Sequence, residues 1–382
     1  MDILFAAIPA FGHVFPLLPL ASACAEAGHE VRIATGDPFL DRLPWPTVRA
    51  VPVGTELDGV VEQARRRHPE ARGPDLAVAM FGDVTAELVA GELDPVLSAR
   101  RPDLVVYEAM NVGAAMAADV HDVPAVGFSI GLATGAVVAM IDGAARGFRA
   151  GFWAAHDRVP PAGPGLLAAA VLDPVPPALT PPGPPSPVPR LPVRSVAHRD
   201  PAGTVPAGLT GPRTRPAVYL TLGTVSFGAT EVIRRAVDQI AGLDVDVFVA
   251  VGPEGDPEAL GPVPGNVHLE RFVDQPGVLD RVDVAVHHGG TGTVLGAAAA
   301  GVPQLILPQG ADQFFNAELI ERAGVGRGLV NDRQDGDAIA RSVRALLDDG
   351  PERAAAARVR AEIAAMPAPA EVVPDLVALA SG

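Results

Sequence analysis

The sequence predicts an α/β protein with two domains, each built on a parallel β-sheet. The chain has 382 residues, which is more than one ordinary hydrophobic core accommodates. In both halves, short apolar runs alternate with helix-like segments, which is the pattern of βαβ units and parallel sheets. Between the halves, residues 174–216 are rich in proline, which favours neither helix nor sheet. We therefore place the linker there.

The first half opens with a βαβ pattern. We predict strands over residues 3–8 and 30–34, because both runs are short and apolar. Between them, residues 9–13 are predicted to form a loop and residues 14–27 an apolar helix that Gly28 ends. This order implies a parallel pair of strands.

The middle of the first half is less regular. Residues 54–74 are polar, and we expect a mobile surface loop there. Residues 75–100 are predicted to be helical, with breaks near Gly82 and Gly91. Residues 123–141 carry no charge over nearly a membrane-spanning length, but proline and glycines interrupt them, so we predict a buried strand followed by a loop. The other predicted elements are strands at 48–53, 104–107 and 125–128 and a helix at 111–121.

The second half repeats the strand–helix alternation. The predicted strands are residues 217–222, 245–251, 267–269, 282–286 and 304–307. The predicted helices are residues 231–241, 291–300, 312–323, 336–347, 352–366 and 371–380. We therefore predict a first domain over residues 1–200, a second domain over residues 216–366, and a tail over residues 367–382 that packs back on the first domain.

Composition excludes several classes of protein. The net charge of -16 argues against a general nucleic-acid binder. Cys24 is the only cysteine, so an intramolecular disulfide and a cysteine-based metal cluster are excluded, and its apolar helix favours a core position. No basic residue precedes Arg32, which does not fit a secretory signal peptide. We expect a cytoplasmic enzyme without stable membrane insertion.

Residues 282–316 give the strongest binding signal. A short β-branched strand ends in a glycine turn, and a helix is predicted to begin at Thr291. A helix N-terminus presents N–H groups and the positive end of the helix dipole, and glycines let an anion approach the backbone. His287 and His288 add donors beside the turn. The segment predicts a phosphate or diphosphate site, although a turn of this kind can also be purely structural.

A second polar loop follows the next strand. It ends in Asp312 and Gln313, whose carboxylate and amide are suited to sugar hydroxyls. Ligands of open α/β sheets bind beyond the carboxyl ends of the strands, so both loops are expected at that edge. In contrast, the D-x-D motif at residues 244–246 opens a predicted strand at the opposite edge. We interpret it as solvated turn residues and not as a metal site.

These motifs together resemble a known family. Residues 287–293 (HHGGTGT), 301–303 (GVP) and 312–317 (DQFFNA) resemble the nucleotide-sugar signature of family 1 glycosyltransferases. Residues 12–17 and 27–31 are similar to the amino-terminal pattern of bacterial antibiotic glycosyltransferases. The resemblance covers nearly the whole chain.

The resemblance implies the GT-B fold, in which two Rossmann-like domains with parallel sheets face each other across a cleft. The first domain would bind the acceptor and the second the nucleotide-sugar donor. The reaction would be a metal-independent, inverting transfer to a hydroxyl of an apolar natural product, such as a polyketide antibiotic aglycone. The nucleotide sugar is a co-substrate, and no further cofactor is expected.

The resemblance also implies roles for individual residues of the donor site. The loop at residues 288–293 and the facing Thr224 would hold the diphosphate, and Asp312 and Gln313 the donor sugar. The base and ribose would lie beside the segment at residues 272–275. The implied donor residues are Thr224, Phe272, Val273, Gln275, His288, Gly290, Thr291, Gly292, Thr293, Asp312 and Gln313.

His13 matches the position of the catalytic base in the family, and an imidazole near neutral pKa suits that task. Glu108 falls near the aspartate that orients the base, although a glutamate has a different reach. Gly296 replaces a glutamate that binds ribose hydroxyls in plant members using UDP-sugars. This favours a TDP-deoxysugar donor, since thymidine lacks the 2′-hydroxyl. The alternative is that Gly296 only relieves helix packing.

The acceptor pocket is expected to be apolar or aromatic. Its predicted lining is Phe11, Met80, Phe81, Met110, Ser129, Phe148, Phe152 and Trp153, several of which could equally belong to the core. Three alternatives stay open: a UDP-sugar-dependent transferase, a sugar-nucleotide 2-epimerase on the same fold, and a non-catalytic nucleotide-sugar-binding protein. A homodimer is compatible with the sequence, but no residue predicts one.

Overall fold

The chain divides into two units of α/β structure. The first comprises Met1–Pro174, Pro182–Arg194 and Pro367–Gly382, and the second comprises Val175–Pro181 and Ser195–Met366. The computed structural model describes residues 1–37, 39–43, 48–54, 57–132, 134–162, 167–182, 186, 188–200, 203–223, 229–253, 255–330 and 336–381.

The first unit contains a parallel seven-stranded sheet. Its strands are β1 (Asp2–Ala6), β2 (Glu30–Thr35), β3 (Val48–Pro52), β4 (Leu104–Glu108), β5 (Ala125–Phe128), β6 (Ala170–Asp173) and β7 (Arg190–Pro192). Their order in the sheet is β3-β2-β1-β4-β5-β6-β7. Ile3, Leu4 and Phe5 have no exposed surface, because helices cover both faces of a parallel sheet. The edge strand β7 lies within the proline-rich residues 174–216, so this region contributes a strand to the first sheet.

Helices follow the strands of the first unit. They are α1 (Phe11–Val14), α2 (Leu18–Glu26), α3 (Leu57–Arg67), α4 (Pro74–Ala79), α5 (Thr85–Ala99), α6 (Val112–Val120), α7 (Thr134–Phe148) and α8 (Ala150–Ala154). A π-helical turn, Met80–Val84, joins α4 to α5. Gly28 has φ +87° just after α2, as expected for a residue that ends a helix. Cys24 on α2 is a core residue, and burial raises the pKa of its thiol to about 12.

The second unit contains a parallel six-stranded sheet. Its strands are β8 (Ala217–Thr221), β9 (Asp246–Ala250), β10 (Val267–Glu270), β11 (Val284–His287), β12 (Gln304–Ile306) and β13 (Gly326–Gly328), in the order β10-β9-β8-β11-β12-β13. Its helices are α9 (Ala229–Ile240), α10 (Gln275–Leu279), α11 (Thr291–Ala300), α12 (Gln313–Ala323), α13 (Ala338–Leu347) and α14 (Pro351–Ala365). The predicted fold class, α/β with parallel sheets, is confirmed.

The chain ends in α15 (Pro369–Ser381), which packs on α2. Val372, Val373 and Leu376 are buried in the core of the first unit. Among the described residues, no single helix is long and apolar enough to span a membrane. In the part of the chain that the structure describes, α14 and α15 are the one pair of consecutive helices that reaches this length and composition when taken together.

Three predicted loops contain helices. The predicted loop at residues 54–74 contains α3, where Val60 and Ala64, four residues apart, are buried against the rest of the unit. Glu62 and Gln63 between these positions, and the three arginines that follow, make the segment polar on average and conceal this apolar stripe in the sequence. The predicted loop at residues 9–13 contains α1, and the predicted loop before residue 141 contains the first half of α7.

Gly82 and Gly91, where helix breaks are predicted, differ in their effect on the helix. Gly82 lies in the π-helical turn, so the predicted break is confirmed there. A Cβ on Gly82 would lie 2.8 Å from the Ile141 carbonyl oxygen, which shows how closely α7 approaches this turn. Gly91 lies inside α5 and interrupts nothing, so the break predicted there is wrong. A single glycine weakens a helix by only about 1 kcal/mol, which packing readily offsets.

The strand order places corresponding loops of both units at equivalent positions. In the first sheet the order reverses between the paired strands β1 and β4, and in the second sheet between the paired strands β8 and β11. Helices leave such a point in opposite directions, which opens a crevice at the carboxyl ends of the two strands. His13 follows β1 and Glu108 ends β4, whereas Gly223 follows β8 and His288 follows β11.

Candidate active site

His13 and Glu108 form a hydrogen-bonded pair at the switch point of the first sheet. His13 Nδ1 lies 3.0 Å from Glu108 Oε1. The Glu108 side chain has no exposed surface, whereas the His13 side chain is 15% exposed. Glu108 Oε2 accepts the backbone N–H of Met110 at 2.8 Å. The glutamate therefore reaches the histidine, and both of its carboxylate oxygens have partners, as a buried carboxylate requires.

Several predicted acceptor residues lie near this pair. The Phe81 and His13 rings are 6.0 Å apart, and Phe81 and Met80 lie on the π-helical turn. Met110 is half-buried and contacts Glu108 through its backbone. Phe11, on the same helix as His13, packs edge-on against Phe15 and Phe39. The structure therefore brings apolar surface beside the histidine.

The other predicted acceptor residues are divided between surface and interior. Phe148 is 49% exposed and lies 5.1 Å from the His68 ring, and Phe152 is half-buried. Trp153 has no exposed surface, and its indole N–H donates to Asp119 Oδ2 at 2.7 Å. Ser129 is also fully buried. Trp153 and Ser129 are therefore interior residues in this structure and offer no surface to an acceptor.

In the second unit, His287 holds the glycine turn in place. Its Nδ1 accepts the Gly289 N–H at 3.1 Å, so Nε2 carries the proton and donates to Gln304 Oε1 at 2.9 Å. Gln304 in turn donates to the Val294 carbonyl oxygen at 3.2 Å, on α11. Both ring nitrogens are thus used internally. His287 is a positioning residue, and the prediction that it adds a donor for a ligand is wrong.

His288 lies between two glycines of the switch point. A Cβ on Gly223 would lie 2.5 Å from His288 Cε1, and a Cβ on Gly290 would lie 2.4 Å from His288 Nε2. Either contact is too short, so both positions exclude a side chain while the ring stays there. Burial lowers the pKa of His288 to about 4, which makes the ring neutral at neutral pH. Its buried Nδ1 has no hydrogen-bond partner among the described residues.

The helix α11 starts beside this ring. Gly290 is its N-cap, and Gly292 is exposed with no atom within 4 Å of a Cβ built on it. Thr293 is used internally: its N–H donates to the Gly290 carbonyl oxygen at 3.0 Å, and its Oγ1 accepts from Gln275 Nε2 at 3.4 Å. The open surface at this helix start is therefore the backbone around Gly292.

A side-chain network connects the second polar loop to the glycine turn. Asp312 Oδ2 accepts from Thr291 Oγ1 at 3.2 Å and from Asn316 Nδ2 at 3.0 Å. Asn316 Nδ2 also donates to the Gly289 carbonyl oxygen at 2.8 Å. Asp312 is exposed, so a ligand in solution can reach this side chain beside the network. The sequence motif contained Asn316, but its positioning role becomes visible only in these contacts.

Gln313 also has an internal partner. Its Oε1 accepts the backbone N–H groups of Gln309 and Gly310 at 2.7 and 3.1 Å, and its side chain is buried. Its carbonyl oxygen therefore shapes the loop, which leaves the amide nitrogen as the group that could contact a ligand. Thr224, predicted to face the diphosphate, lies outside the described residues.

The predicted base and ribose residues lie together after β10. Val273 is bridged to Thr204, and the Asp274 N–H donates to the Thr204 carbonyl oxygen at 3.0 Å. In such a parallel bridge the N–H and C=O of Val273 itself point away from Thr204. Phe272 is half-buried. Gln275 Nε2 lies 3.4 Å from both Tyr219 Oη and Thr293 Oγ1, which connects this segment to α11.

Two predicted positions have packing or ion-pair partners. A Cβ on Gly296 would lie 3.1 Å from Leu279 Cδ1, so helix packing alone gives a reason for glycine there. Asp246, the second acid of the D-x-D motif, opens β9 and pairs with Arg215 at 2.7 Å. This end of β9 is the amino edge of the sheet, opposite the glycine turn.

The internal role of His287 predicts a pH dependence of stability. Burial, and secondarily the neighbouring His288, lowers the pKa of His287 from 6.5 to about 3. At pH values between about 3 and 6.5, His287 binds a proton in the unfolded chain but not in the folded chain. The stability contributed by neutral His287 is therefore complete above pH 6.5 and is lost as the pH falls, by up to about 1.4 kcal/mol per pH unit.

His287→Gln keeps a donor for Gln304 but removes this titration. Between about pH 7 and about pH 4.5, the free energy of unfolding should fall less steeply in this variant than in the wild type. Urea titrations at several pH values measure both slopes, and His29→Gln in the first unit is the control. Parallel curves for wild type and His287→Gln would contradict this role of His287.

Comparisons with known proteins identify the family of the chain. The domains described as erythromycin biosynthesis protein CIII-like match the chain at residues 22–223 (N-terminal domain) and 234–379 (C-terminal domain). An L-demethylnoviosyl transferase of Streptomyces niveus is 33% identical over 389 residues, covering 99% of this chain and 98% of the relative.

Two solved structures are similar along their whole length. The glycosyltransferase VinC, in complex with dTDP, has a TM-score of 0.80 and 26% identity and covers 100% of both chains. The spinosyn rhamnosyltransferase SpnG, complexed with spinosyn aglycone, has a TM-score of 0.82 and 25% identity and covers 99% of this chain and 100% of its own. The predicted resemblance to antibiotic glycosyltransferases is confirmed. The chain belongs to the erythromycin biosynthesis protein CIII-like family and is a family 1 glycosyltransferase with the GT-B fold.

Proposed function

We propose that this enzyme transfers a deoxysugar from a TDP-sugar to a hydroxyl of an apolar natural-product acceptor, with inversion at the anomeric carbon. The observation that carries the proposal is the hydrogen bond between His13 and the buried Glu108. We assign acceptor binding and activation to the first unit and donor binding to the second.

His13 is the proposed general base. With Nδ1–H donated to Glu108, the neutral ring presents the lone pair of Nε2 to the acceptor hydroxyl. The hydroxyl oxygen forms a bond to the anomeric carbon while the bond from that carbon to the diphosphate oxygen breaks. The proton moves to His13 Nε2, and TDP leaves with the bonding electrons. Glu108 stabilises the resulting imidazolium and keeps the ring in the required orientation.

The glycine turn of the second unit is the proposed diphosphate site. Backbone N–H groups at the start of α11 would stabilise the charge that develops on the leaving diphosphate, without a metal ion. Hydrogen bonds of His287, Gln304 and Asn316 hold the turn and α11 in place and would support these donors. Asp312 and the amide nitrogen of Gln313 would contact donor-sugar hydroxyls, and Gln275 the pentose.

The nucleotide is proposed to be thymidine diphosphate. VinC, which matches this chain over its full length, was solved with dTDP. Gly296 offers no carboxylate to a ribose 2′-hydroxyl. However, a side chain at this position would also crowd Leu279, so packing alone can explain the glycine. The relative therefore supports this choice more strongly than the glycine does.

The acceptor is proposed to be a largely apolar aglycone of the polyketide type. Phe81, Met80 and Met110 place apolar surface near His13. SpnG, with similar chain length and fold, was solved with spinosyn aglycone. A sugar-nucleotide 2-epimerase would need no such surface. A non-catalytic binding protein would need no His13–Glu108 pair.

The base assignment is tested by His13→Ala. Its turnover should fall by about 10²- to 10⁴-fold because no group accepts the acceptor proton, whereas TDP affinity should not change. Glu108→Gln keeps the size of the side chain but loses its charge, and it should reduce turnover less. Product formation from TDP-deoxysugars and a panel of macrolide and aromatic polyketide aglycones, followed by mass spectrometry, measures the rates. His29→Ala is the matched control, and wild-type turnover by His13→Ala would overturn the assignment.

The diphosphate site is tested by Gly292→Ala. The structure leaves open space for this methyl group, so the variant should fold and gain about 0.5–1 kcal/mol of helix stability. If the diphosphate contacts this backbone, the methyl group should reduce TDP affinity by at least about tenfold, which is 1.4 kcal/mol. Calorimetry and thermal unfolding separate the two effects. Gly91→Ala in α5, also with open space, is the control. Unchanged TDP affinity in Gly292→Ala would place the diphosphate elsewhere.

A further inference from the structure

Three side chains of the first unit converge away from the His13–Glu108 pair. Asp94 lies on α5, His121 is the C-cap of α6, and His156 follows α8. Asp94 Oδ1 lies 2.8 Å from His121 Nε2 and 3.1 Å from His156 Nε2. One ligand atom of each residue lies within 4.8 Å of the others. The side chains are 31%, 17% and 23% exposed, so solvent ions reach them.

The protonation state of His156 makes this arrangement unusual. Its Nδ1 lies 2.9 Å from the Phe152 carbonyl oxygen, which can only accept, so Nδ1 carries a proton. In the neutral ring, Nε2 then directs a lone pair at the Asp94 carboxylate. A cation must relieve this repulsion. It is either a second proton on His156 or a metal ion between the ligand atoms.

One positively charged side chain lies close to the triad in sequence. Arg158 follows His156 by two residues, but it is paired with Asp122 at 2.5 Å and donates to the Asp119 carbonyl oxygen at 3.0 Å. Its charge is therefore already offset by a carboxylate and a carbonyl group, so it does not exclude a cation from the triad.

We propose that Asp94, His121 and His156 form a binding site for a divalent transition metal, with zinc as the preferred ion. The ligands are Asp94 Oδ1 and the Nε2 atoms of both histidines, and water completes the coordination. Two imidazoles and a carboxylate form a donor set that zinc accepts. The bond from His156 Nδ1–H to the Phe152 carbonyl is the orienting contact that metal-bound histidines make with their second nitrogen.

The observed distances are compatible with such a site. In tetrahedral zinc sites with bonds of about 2.0–2.1 Å, neighbouring ligand atoms are about 3.3 Å apart. The observed 2.8 and 3.1 Å separations from Asp94 Oδ1 need to widen by up to about 0.5 Å, and the two histidine Nε2 atoms, which lie within 4.8 Å of each other, can adjust by side-chain rotation. Zinc would displace the proton from His156 Nε2, and the Nε2 proton of His121 would move to its Nδ1. Both imidazoles would then be neutral ligands.

A bound metal would connect three helices of the first unit. It would fix α8 and the following turn to α5 and to the end of α6. Phe152, whose carbonyl holds His156, also belongs to the predicted acceptor lining. Zinc would therefore stabilise the folded unit and order the segment that carries this aromatic side chain.

The test uses the full chain without a polyhistidine tag, freed of metal by a chelator. Calorimetric titration with Zn²⁺ should show about one tight site, and zinc should raise the unfolding temperature of the wild type. His121→Ala, His156→Ala and Asp94→Asn should each lower zinc affinity at least tenfold and abolish the temperature rise. His29→Ala is the control and should bind as the wild type does.

Cobalt distinguishes specific ligation from loose surface binding. Co²⁺ in the wild type should give the intense visible absorption of a tetrahedral ion with nitrogen ligands, and Asp94→Asn, which preserves side-chain size, should lose it. Absence of saturable zinc binding would overturn the proposal and leave a protonated His156–Asp94 ion pair. Equal zinc affinity in wild type and both histidine variants would overturn it as well.

Discussion

The reversal of strand order in each sheet is the constraint on which the candidate site depends. Parallel strands need crossover helices, and helices that leave neighbouring strands on opposite faces open a crevice at their carboxyl ends. In the first sheet, β1 and β4 bring His13 to Glu108 although 95 residues separate them. In the second sheet, β8 and β11 bring Gly223 to His288. The same backbone topology thus supplies a histidine at equivalent points of both units.

The two histidine sites differ because their surroundings differ. His13 faces a buried carboxylate, which fixes the tautomer and the orientation of its ring. His288 is enclosed by glycine backbone, and burial favours its neutral form. A bound diphosphate would oppose that preference, because it supplies a negative charge. His287, one residue earlier, has a third role, because both of its nitrogens are used to hold the turn.

The βαβ order, the parallel sheets and the strand–glycine–helix turn could be predicted from the sequence. Apolar periodicity and the positions of glycines depend directly on local structure. The helix α3 could not be predicted, because its buried residues Val60 and Ala64 lie in a segment that is polar on average. The sequence also could not separate Trp153 in the core from Phe148 on the surface, because aromatic residues occupy both places. The contact of Thr293 with Gln275, and the convergence of Asp94 with His121 and His156, depend on long-range packing that no local pattern encodes.

We propose above that the glycine turn of the second unit binds the diphosphate of a thymidine nucleotide without a metal ion. Calorimetric titration of the chelator-treated enzyme with TDP and, separately, with UDP tests it most directly. We expect saturable TDP binding at one site and UDP binding that is weaker by at least about tenfold, or 1.4 kcal/mol. Equal or tighter UDP binding would contradict the thymidine assignment. No binding of either nucleotide would contradict the assignment of the turn itself.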